Sequence, residues 1–323
     1  MIINTGMRTD IPAFYSRWFL NRIKEGFVLV RNPYNESQVT KYNLNPEVVD
    51  CLAFCTKNPH PLISHLSELD NYNQFWFVTI TPYGKDIELN VPDKKLIIED
   101  FKKSSNHIGV DSIALRYDPI LINDKFDVEM HIKCFDKLSS QLKGYTHDCT
   151  ISFLDLYEKV KRNAPDLRPP NKEEQIEITK AFSKIGDKNN IVIHACCEKD
   201  YLKDYGIDIT GCMSQEIVEK AIANKLKVPK LSDKREGCNC LLGNDIGAYN
   251  TCGHLCKYCY ANAHAGLVKE NMKKHIWNSP FLIGKEEPGD KITEAKQKSW
   301  RIDSEQISFI WNILRNFKFC DRI

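Results

Sequence analysis

Five cysteines fall within residues 238–262, CNCLLGNDIGAYNTCGHLCKYCYAN: Cys238, Cys240, Cys252, Cys256 and Cys259. The last three are spaced C-x3-C-x2-C. Thiolates are strong metal ligands, and three from one short loop can converge on one inorganic centre. Three thiolates hold three irons of a [4Fe–4S] cube and leave the fourth iron open to chelate a small molecule. A zinc ribbon instead reads as two C-x2-C pairs a dozen or more residues apart. Zinc completed by His254 or another cysteine is the competing reading of this loop. Gly247 and Gly253 are expected to supply backbone conformations that so tight a loop requires.

A second set lies close by in sequence: Cys196, Cys212, Cys238 and Cys240. Four thiolates without an open position fit an auxiliary [4Fe–4S] cluster or a structural zinc. Cys197 is the alternative to Cys196, because adjacent residues on a strand point to opposite faces. Cys51, Cys55, Cys134 and Cys149 sit within apolar patterns and read as small buried hydrophobes. Thirteen cysteines in all, with no charged leader and apolar run at the N-terminus, point to metal ligation in a reducing compartment rather than to disulfides. A cytoplasmic location is the expectation.

The elements that must position these residues come before them in the chain. Short β-rich runs at 2–4, 51–55, 75–80, 112–116, 150–154 and 191–194 alternate with helical patterns, as in Phe14, Trp18, Phe19 and Ile23 or Phe126, Met130, Phe135, Leu138 and Leu142. Such alternation implies parallel strands joined by helical crossovers. Residues 27–31 and 38–41 read as an inserted hairpin turning at Asn32-Pro33-Tyr34-Asn35. The segment 213–227 reads as a helix, and the basic run 225–234 as solvated surface.

Polar groups follow most strands. Arg8 and Asp10 follow the first, Lys57 and Asn58 the second, Tyr83 the third, Arg116 and Asp118 close the fourth, Asp155 follows the fifth, and Cys196 the sixth. In an α/β barrel these groups meet at the C-terminal face, where active sites lie. The expected fold is therefore α/β, a partial or full TIM-like parallel (β/α) barrel of about six strand–helix units over residues 1–200. A cysteine-rich C-terminal extension, 201–323, would cap its mouth. Arg8 or Arg116 can take a carboxylate by a bidentate contact. Asp118 or Asp155 can take ribose hydroxyls. Arg8, Asp10, Lys57, Arg116 and Asp118 are the candidate catalytic residues, and Asn58, Tyr83 and Asp155 candidate cofactor contacts. The competing role for each is a salt-bridge ring that holds the strand ends. His194 ends an apolar strand and reads as a hydrogen-bonded core histidine.

Composition weighs against some classes. A formal net charge of +2 gives no bulk attraction to nucleic acid. No run approaches 18 apolar residues, so no membrane span is expected. No glycine-rich phosphate loop follows any strand, which leaves dinucleotide and nucleoside-triphosphate readings unsupported.

The chain as a whole resembles the domain of unknown function 1848 family. The stretches that carry the resemblance are MRTDIPAFY (7–15), VLVRNPYN (28–35), FCTKNP (54–59), TPYGKDIE (81–88), RYDPIL (116–121), ISFLDLY (151–157) and DIGAYNTCGHLCKYCYAN (245–262). The cysteine run, with Tyr258 in the aromatic place, also resembles the C-x3-C-x-aromatic-C signature of radical S-adenosylmethionine (SAM) enzymes. The resemblance implies a radical-SAM-like iron–sulfur protein, loosely similar to spore photoproduct lyase. It implies SAM bound by its amino and carboxylate groups to the open iron, with Tyr258 packed on the adenine. A reductant such as flavodoxin or ferredoxin and a small-molecule substrate are the implied partners. The superfamily motif normally follows the first strand, whereas here it follows six strand units. Two readings from other classes stand beside this one: a nucleic-acid-binding or repair protein stapled by iron–sulfur or zinc, and a non-radical enzyme using the open iron as a Lewis acid.

Overall fold

The computed structural model describes residues 1–230, 238–241 and 243–302. Residues 231–234 of the basic run, and 231–237, 242 and 303–323 of the C-terminal extension, lie outside the described residues.

The chain opens with β1 (Ile2–Asn4), α1 (Ile11–Phe14) and α2 (Ser16–Glu25), then the hairpin β2 (Phe27–Asn32) and β3 (Asn35–Asn43). It then alternates: β4 (Cys51–Thr56), α3 (His60–Ile63), β5 (Gln74–Thr79), α4 (Lys94–Ile108), β6 (Ile113–Ile120), α5 (Val128–Leu142), β7 (Asp148–Phe153), α6 (Glu158–Asn163), α7 (Lys172–Asn189) and β8 (Val192–Ala195). The remaining elements are α8 (Gln215–Ala221), α9 (Ala265–Lys273) and β9 (Lys291–Glu294). Among the described residues, no helix is long and apolar enough to cross a membrane.

Six strands form one parallel sheet in the order β1-β4-β5-β6-β7-β8. The order never reverses, so the switch point of a doubly wound sheet is missing. Both faces are apolar, as a covered parallel sheet requires. Strand alternation sends Leu52, Phe54, Trp76, Val78, Leu115 and Ile151 into a large core with the crossover helices. It sends Ile2, Cys51, Ala53, Phe75, Phe77 and Ala114 to the other face, where Met213, Leu241 and α8 residues Ile217 and Val218 cover them. The long crossovers start on side-chain caps: Asp93 for α4, Asp127 for α5, and an Asn171–Glu174 capping box for α7. The inserted hairpin forms as expected, and β9 pairs parallel with β3 beside it.

Among the described residues β1 and β8 do not pair, so the strands alone close no barrel. The path between these edges runs through two later segments. Beyond β8, Ala195 N–H donates to the Asp208 carbonyl at 2.8 Å, and Asp208 N–H to that of Ile193 at 2.9 Å. Beyond β1, Asn4 N–H donates to the Asn244 carbonyl at 3.2 Å, and Ile246 N–H to that of Asn4 at 3.0 Å. Leu241 N–H reaches the Met213 carbonyl at 2.8 Å and joins the two segments. His194 is the buried histidine expected, with Nε2 2.7 Å from Asp148 Oδ1. The expected helix over 213–227 is cut to Gln215–Ala221. The chain turns away at Ala223, in the left-handed region at φ 49°, and the Glu219 carboxylate accepts Leu226 N–H at 2.9 Å.

Candidate functional site

The C-terminal ends of all six parallel strands open onto one cavity of about 310 Å³. Thr9 and Asp10 reach it from the turn after β1, Cys55 and Lys57 from β4, and Thr79 from β5. Arg116 and Asp118 come from β6, Ser152 and Asp155 from β7, and Cys196 and Cys197 from the end of β8. The cysteine loop supplies another wall with Cys252, Cys256, Tyr258 and Cys259.

The loop is fixed by its backbone. Asn90 N–H donates to the His254 carbonyl at 3.1 Å, Lys257 N–H to that of Ile87 at 3.0 Å, and Asn90 Nδ2 to that of Gly253 at 2.8 Å. Asp10 adds a side-chain tie: Oδ1 accepts Ala13 N–H at the start of α1, and Oδ2 accepts Lys57 N–H at 2.8 Å and lies 2.9 Å from His254 Nε2. The glycines serve otherwise than expected. Neither Gly247 nor Gly253 has a positive φ; the left-handed positions of the loop are Asn250 (φ 58°) and Leu255 (φ 54°). Gly253 is needed for space, because a Cβ there would stand 2.7 Å from the Phe14 ring.

The donor set of this loop fits a thiolate-bound centre. Ala261 N–H donates to Cys259 Sγ at 3.3 Å. Burial pushes the Cys252 thiol well up and that of Cys256 up to about 12, with Lys57 opposing the latter rise. Beside Cys256 sits a buried carboxylate that sequence reasoning missed, Glu88. Its Oε1 accepts Lys57 Nζ at 2.8 Å, Thr81 Oγ1 at 2.7 Å and Tyr258 Oη, and its Oε2 accepts Lys94 Nζ. Burial would raise the Glu88 carboxyl, but the ammoniums of Lys57 and then Lys94 overcome this and hold it down at about 2. One carboxylate balances one of two ammoniums. The excess positive charge acts on Cys256, which is what an anionic thiolate centre requires. The only hint in sequence was an acidic residue between Ile87 and Leu89.

The tightest thiol group is elsewhere. Among the described residues, Cys196, Cys212 and Cys240 form the group of three ligand side chains whose sulfurs all lie within 4.8 Å of one another. This group can hold a metal ion. Cys252, Cys256 and Cys259 do not meet that limit. The Cys212 and Cys240 sulfurs are 3.0 Å apart, and Met213 N–H donates to Cys240 Sγ at 3.4 Å. Hydrogen bonds from the Cys212 and Cys240 thiols hold Cys196 well below the usual thiol range, with Arg116 assisting. Cys238, the other expected member, is half-buried and is not among the three thiols that meet this limit; Cys240 is the member of the Cys238–Cys240 pair whose sulfur approaches Cys212. Cys197 is in the left-handed region (φ 55°), so it does not simply alternate with Cys196, and both line the cavity.

The other expected residues divide. Asp10, Lys57, Arg116, Asp118 and Asp155 line the cavity. Arg116 and Asp118 form an ion pair through Nη2 and Oδ2 at 2.5 Å. Arg8, Asn58 and Tyr83 do not line it. Arg8 turns to Asp245 and the Tyr249 ring. Tyr83 is a core brace, its hydroxyl donating to the Pro119 carbonyl at 2.7 Å and accepting Leu121 N–H at 3.0 Å. Asn58 N–H is turned back onto Thr56 Oγ1 at 2.9 Å. Tyr258 touches the cavity but is mostly buried against Tyr83, with ring centroids 6.0 Å apart. Of the cysteines read as core, Cys51 and Cys149 are buried, Cys134 is half-buried, and Cys55 lines the cavity with its thiol pushed up to about 12 by burial.

A family model described as domain of unknown function (DUF1848) matches residues 2–261. No curated protein and no solved structure matches the chain.

Proposed function

Because the chain belongs to the domain of unknown function (DUF1848) family, whose description states no activity, we propose a function from the site itself. The protein is a radical-SAM-like enzyme that holds a [4Fe–4S] cluster on Cys252, Cys256 and Cys259 and acts on a small-molecule substrate. The sheet is the larger part of a partial barrel, with the cysteine-rich segment over its mouth. One observation carries the reading: the C-x3-C-x2-C thiols line the same cavity as the polar ends of all six parallel strands.

Cys252, Cys256 and Cys259 would hold the cluster, which, once reduced by an external donor, would supply the single electron whose transfer to a sulfonium cleaves a C–S bond into a thioether and a carbon radical. The chain's own residues bind and orient. Asp10 fixes the cysteine loop against the ends of β1 and β4. Lys57, locked by Glu88, places a positive charge beside Cys256. Arg116 and Asp118 hold each other, so a ligand carboxylate must compete with Asp118 for the guanidinium. The rings of Tyr157 and Tyr260, 6.2 Å apart and partly exposed, supply aromatic wall at the cavity. A flavodoxin or ferredoxin class protein is the expected electron donor.

The test is iron and sulfide content with electron paramagnetic resonance on anaerobically purified protein, with and without SAM, for the wild type and Cys256→Ala. We expect a cluster signal that changes on adding SAM and is lost in the variant. A signal indifferent to SAM, or iron unaffected by Cys256→Ala, overturns the proposal.

A further inference from the structure

Three thiols outside the cysteine loop converge more tightly than those within it. Cys196, Cys212 and Cys240 have their sulfurs within 4.8 Å of one another, the last two 3.0 Å apart. A tetrahedral ion with thiolate bonds of about 2.3 Å sets its sulfurs about 3.8 Å apart. Sulfurs that all lie within 4.8 Å of one another can reach that spacing by small side-chain shifts. A [4Fe–4S] cube suits the group less well, because its thiolates bind separate irons and so stand farther apart than ligands sharing one ion. We propose that Cys196, Cys212 and Cys240 ligate a single divalent ion of the zinc class, distinct from any cluster on the cysteine loop. The fourth position falls to Cys197 or a water.

The surroundings are built for such an ion. Cys212 and Cys240 are buried, where three crowded thiols have little other use. Gly211 sits at φ 116°, a conformation strained for any side chain, and an added Cβ would lie 3.4 Å from Cys240 Sγ. Glycine there lets the chain turn Cys212 against Cys240. Three thiolates on a divalent ion carry one net negative charge. The Arg116 guanidinium, itself paired with Asp118, acts on both Cys196 and Cys212.

The position gives the ion its role. Cys196 follows β8, Cys212 follows the segment bridged to β8 through Asp208, and Cys240 precedes the segment bridged to β1 through Asp245. One ion on these three thiols clasps the two edges of the sheet that do not pair directly. It is a structural staple, placed where the strands fail to close.

The test is metal analysis of anaerobically purified full-length protein. The wild type and Cys256→Ala should each carry about one zinc per chain, as a single closed site binds one ion. Cys212→Ser and Cys240→Ser should lose the zinc and keep their iron. The inference is overturned if the serine variants lose iron and keep zinc, or if the wild type holds no zinc. Because these variants can fail to fold, a second measurement uses the wild type alone. After removal of zinc by chelation, one equivalent of cobalt(II) should give thiolate-to-metal charge-transfer absorption that zinc reverses. Its absence, or a Cys212–Cys240 disulfide in freshly purified protein, overturns the inference. Zinc content is read independently of iron, so failure here is distinct from failure of the cluster proposal.

Discussion

His254 Nε2 lies 2.9 Å from Asp10 Oδ2, across 244 residues of chain. The same carboxylate accepts Lys57 N–H at 2.8 Å and Ala13 N–H at 3.0 Å. One buried side chain therefore ties the ends of β1 and β4, and the start of α1, to the loop that carries Cys252, Cys256 and Cys259. The strand ends and the cysteine loop are one mechanical unit.

Asp10→Ala should break that unit. It leaves His254 Nε2, Lys57 N–H and Ala13 N–H without this acceptor, the buried ones at about 1–3 kcal/mol each. Stability in urea should fall by about 2–6 kcal/mol, with iron retention falling in parallel. Asp10→Asn keeps one acceptor oxygen and should lose less. Unchanged urea midpoint and iron content in Asp10→Ala would show that the tie is dispensable.

Glu88 should give acid sensitivity of a predictable sign. Its folded-state value of about 2 is below the ordinary 4.5. A depressed carboxyl contributes stability that is fully present above the unfolded value and is lost as pH falls through the folded one. The contribution should therefore fade between about pH 4.5 and 2. Glu88→Gln removes that dependence and leaves the Lys57 and Lys94 ammoniums without their counter-charge, at about 3–5 kcal/mol near neutral pH. Urea midpoints against pH for both proteins decide it. A variant as acid-sensitive as the wild type in this window would assign the effect to other carboxylates.

Gly253→Ala tests a steric claim. The new methyl would stand 2.7 Å from the Phe14 ring, which itself packs edge-on to His254 with centroids 4.7 Å apart. Overpacking of this kind costs about 1–3 kcal/mol. Phe14→Leu makes room, so the double variant should recover part of the loss in a double-mutant cycle. Strict additivity of the two changes would mean that the methyl is accommodated elsewhere.

What was legible in the sequence was what short range decides. The run CLAFC, 51–55, reads as a strand and is one, Cys51–Thr56, and Asn32 to Asn35 reads as a hairpin turn and joins β2 to β3. Polar residues after the strands mark the cavity because parallel strands bring all their C-terminal ends to one side. Glu88 was not legible, because its meaning depends on Lys57, Thr81, Lys94 and Tyr258 arriving from other parts of the chain. Spacing could not separate Cys238 from Cys240, since nothing local says which thiol of the pair faces Cys212. β9 is four exposed residues, KITE, with no apolar face to announce it. Tyr83 and Asn58 follow strands as the cavity residues do, but Tyr83 lies four residues past the end of β5, where the chain has turned into the core, and Asn58, just past β4, has its N–H turned back onto Thr56.

Tyr258 joins two roles that substitution can separate. Its hydroxyl donates to Glu88, and its ring lies against Tyr83 on one side and reaches the cavity on the other. Tyr258→Phe removes the hydroxyl and keeps the ring. It should cost about 1.5–3 kcal/mol, the value of a hydrogen bond to a charged group, and leave SAM affinity close to that of the wild type. Tyr258→Leu removes the ring as well. If the aromatic face supports the adenine of SAM, affinity should fall a further ~10-fold, which corresponds to about 1.4 kcal/mol, in anaerobic equilibrium dialysis of cluster-loaded protein. Equal SAM affinity in the Phe and Leu variants, at equal iron content, would assign Tyr258 to the core and leave the adenine to another wall of the cavity.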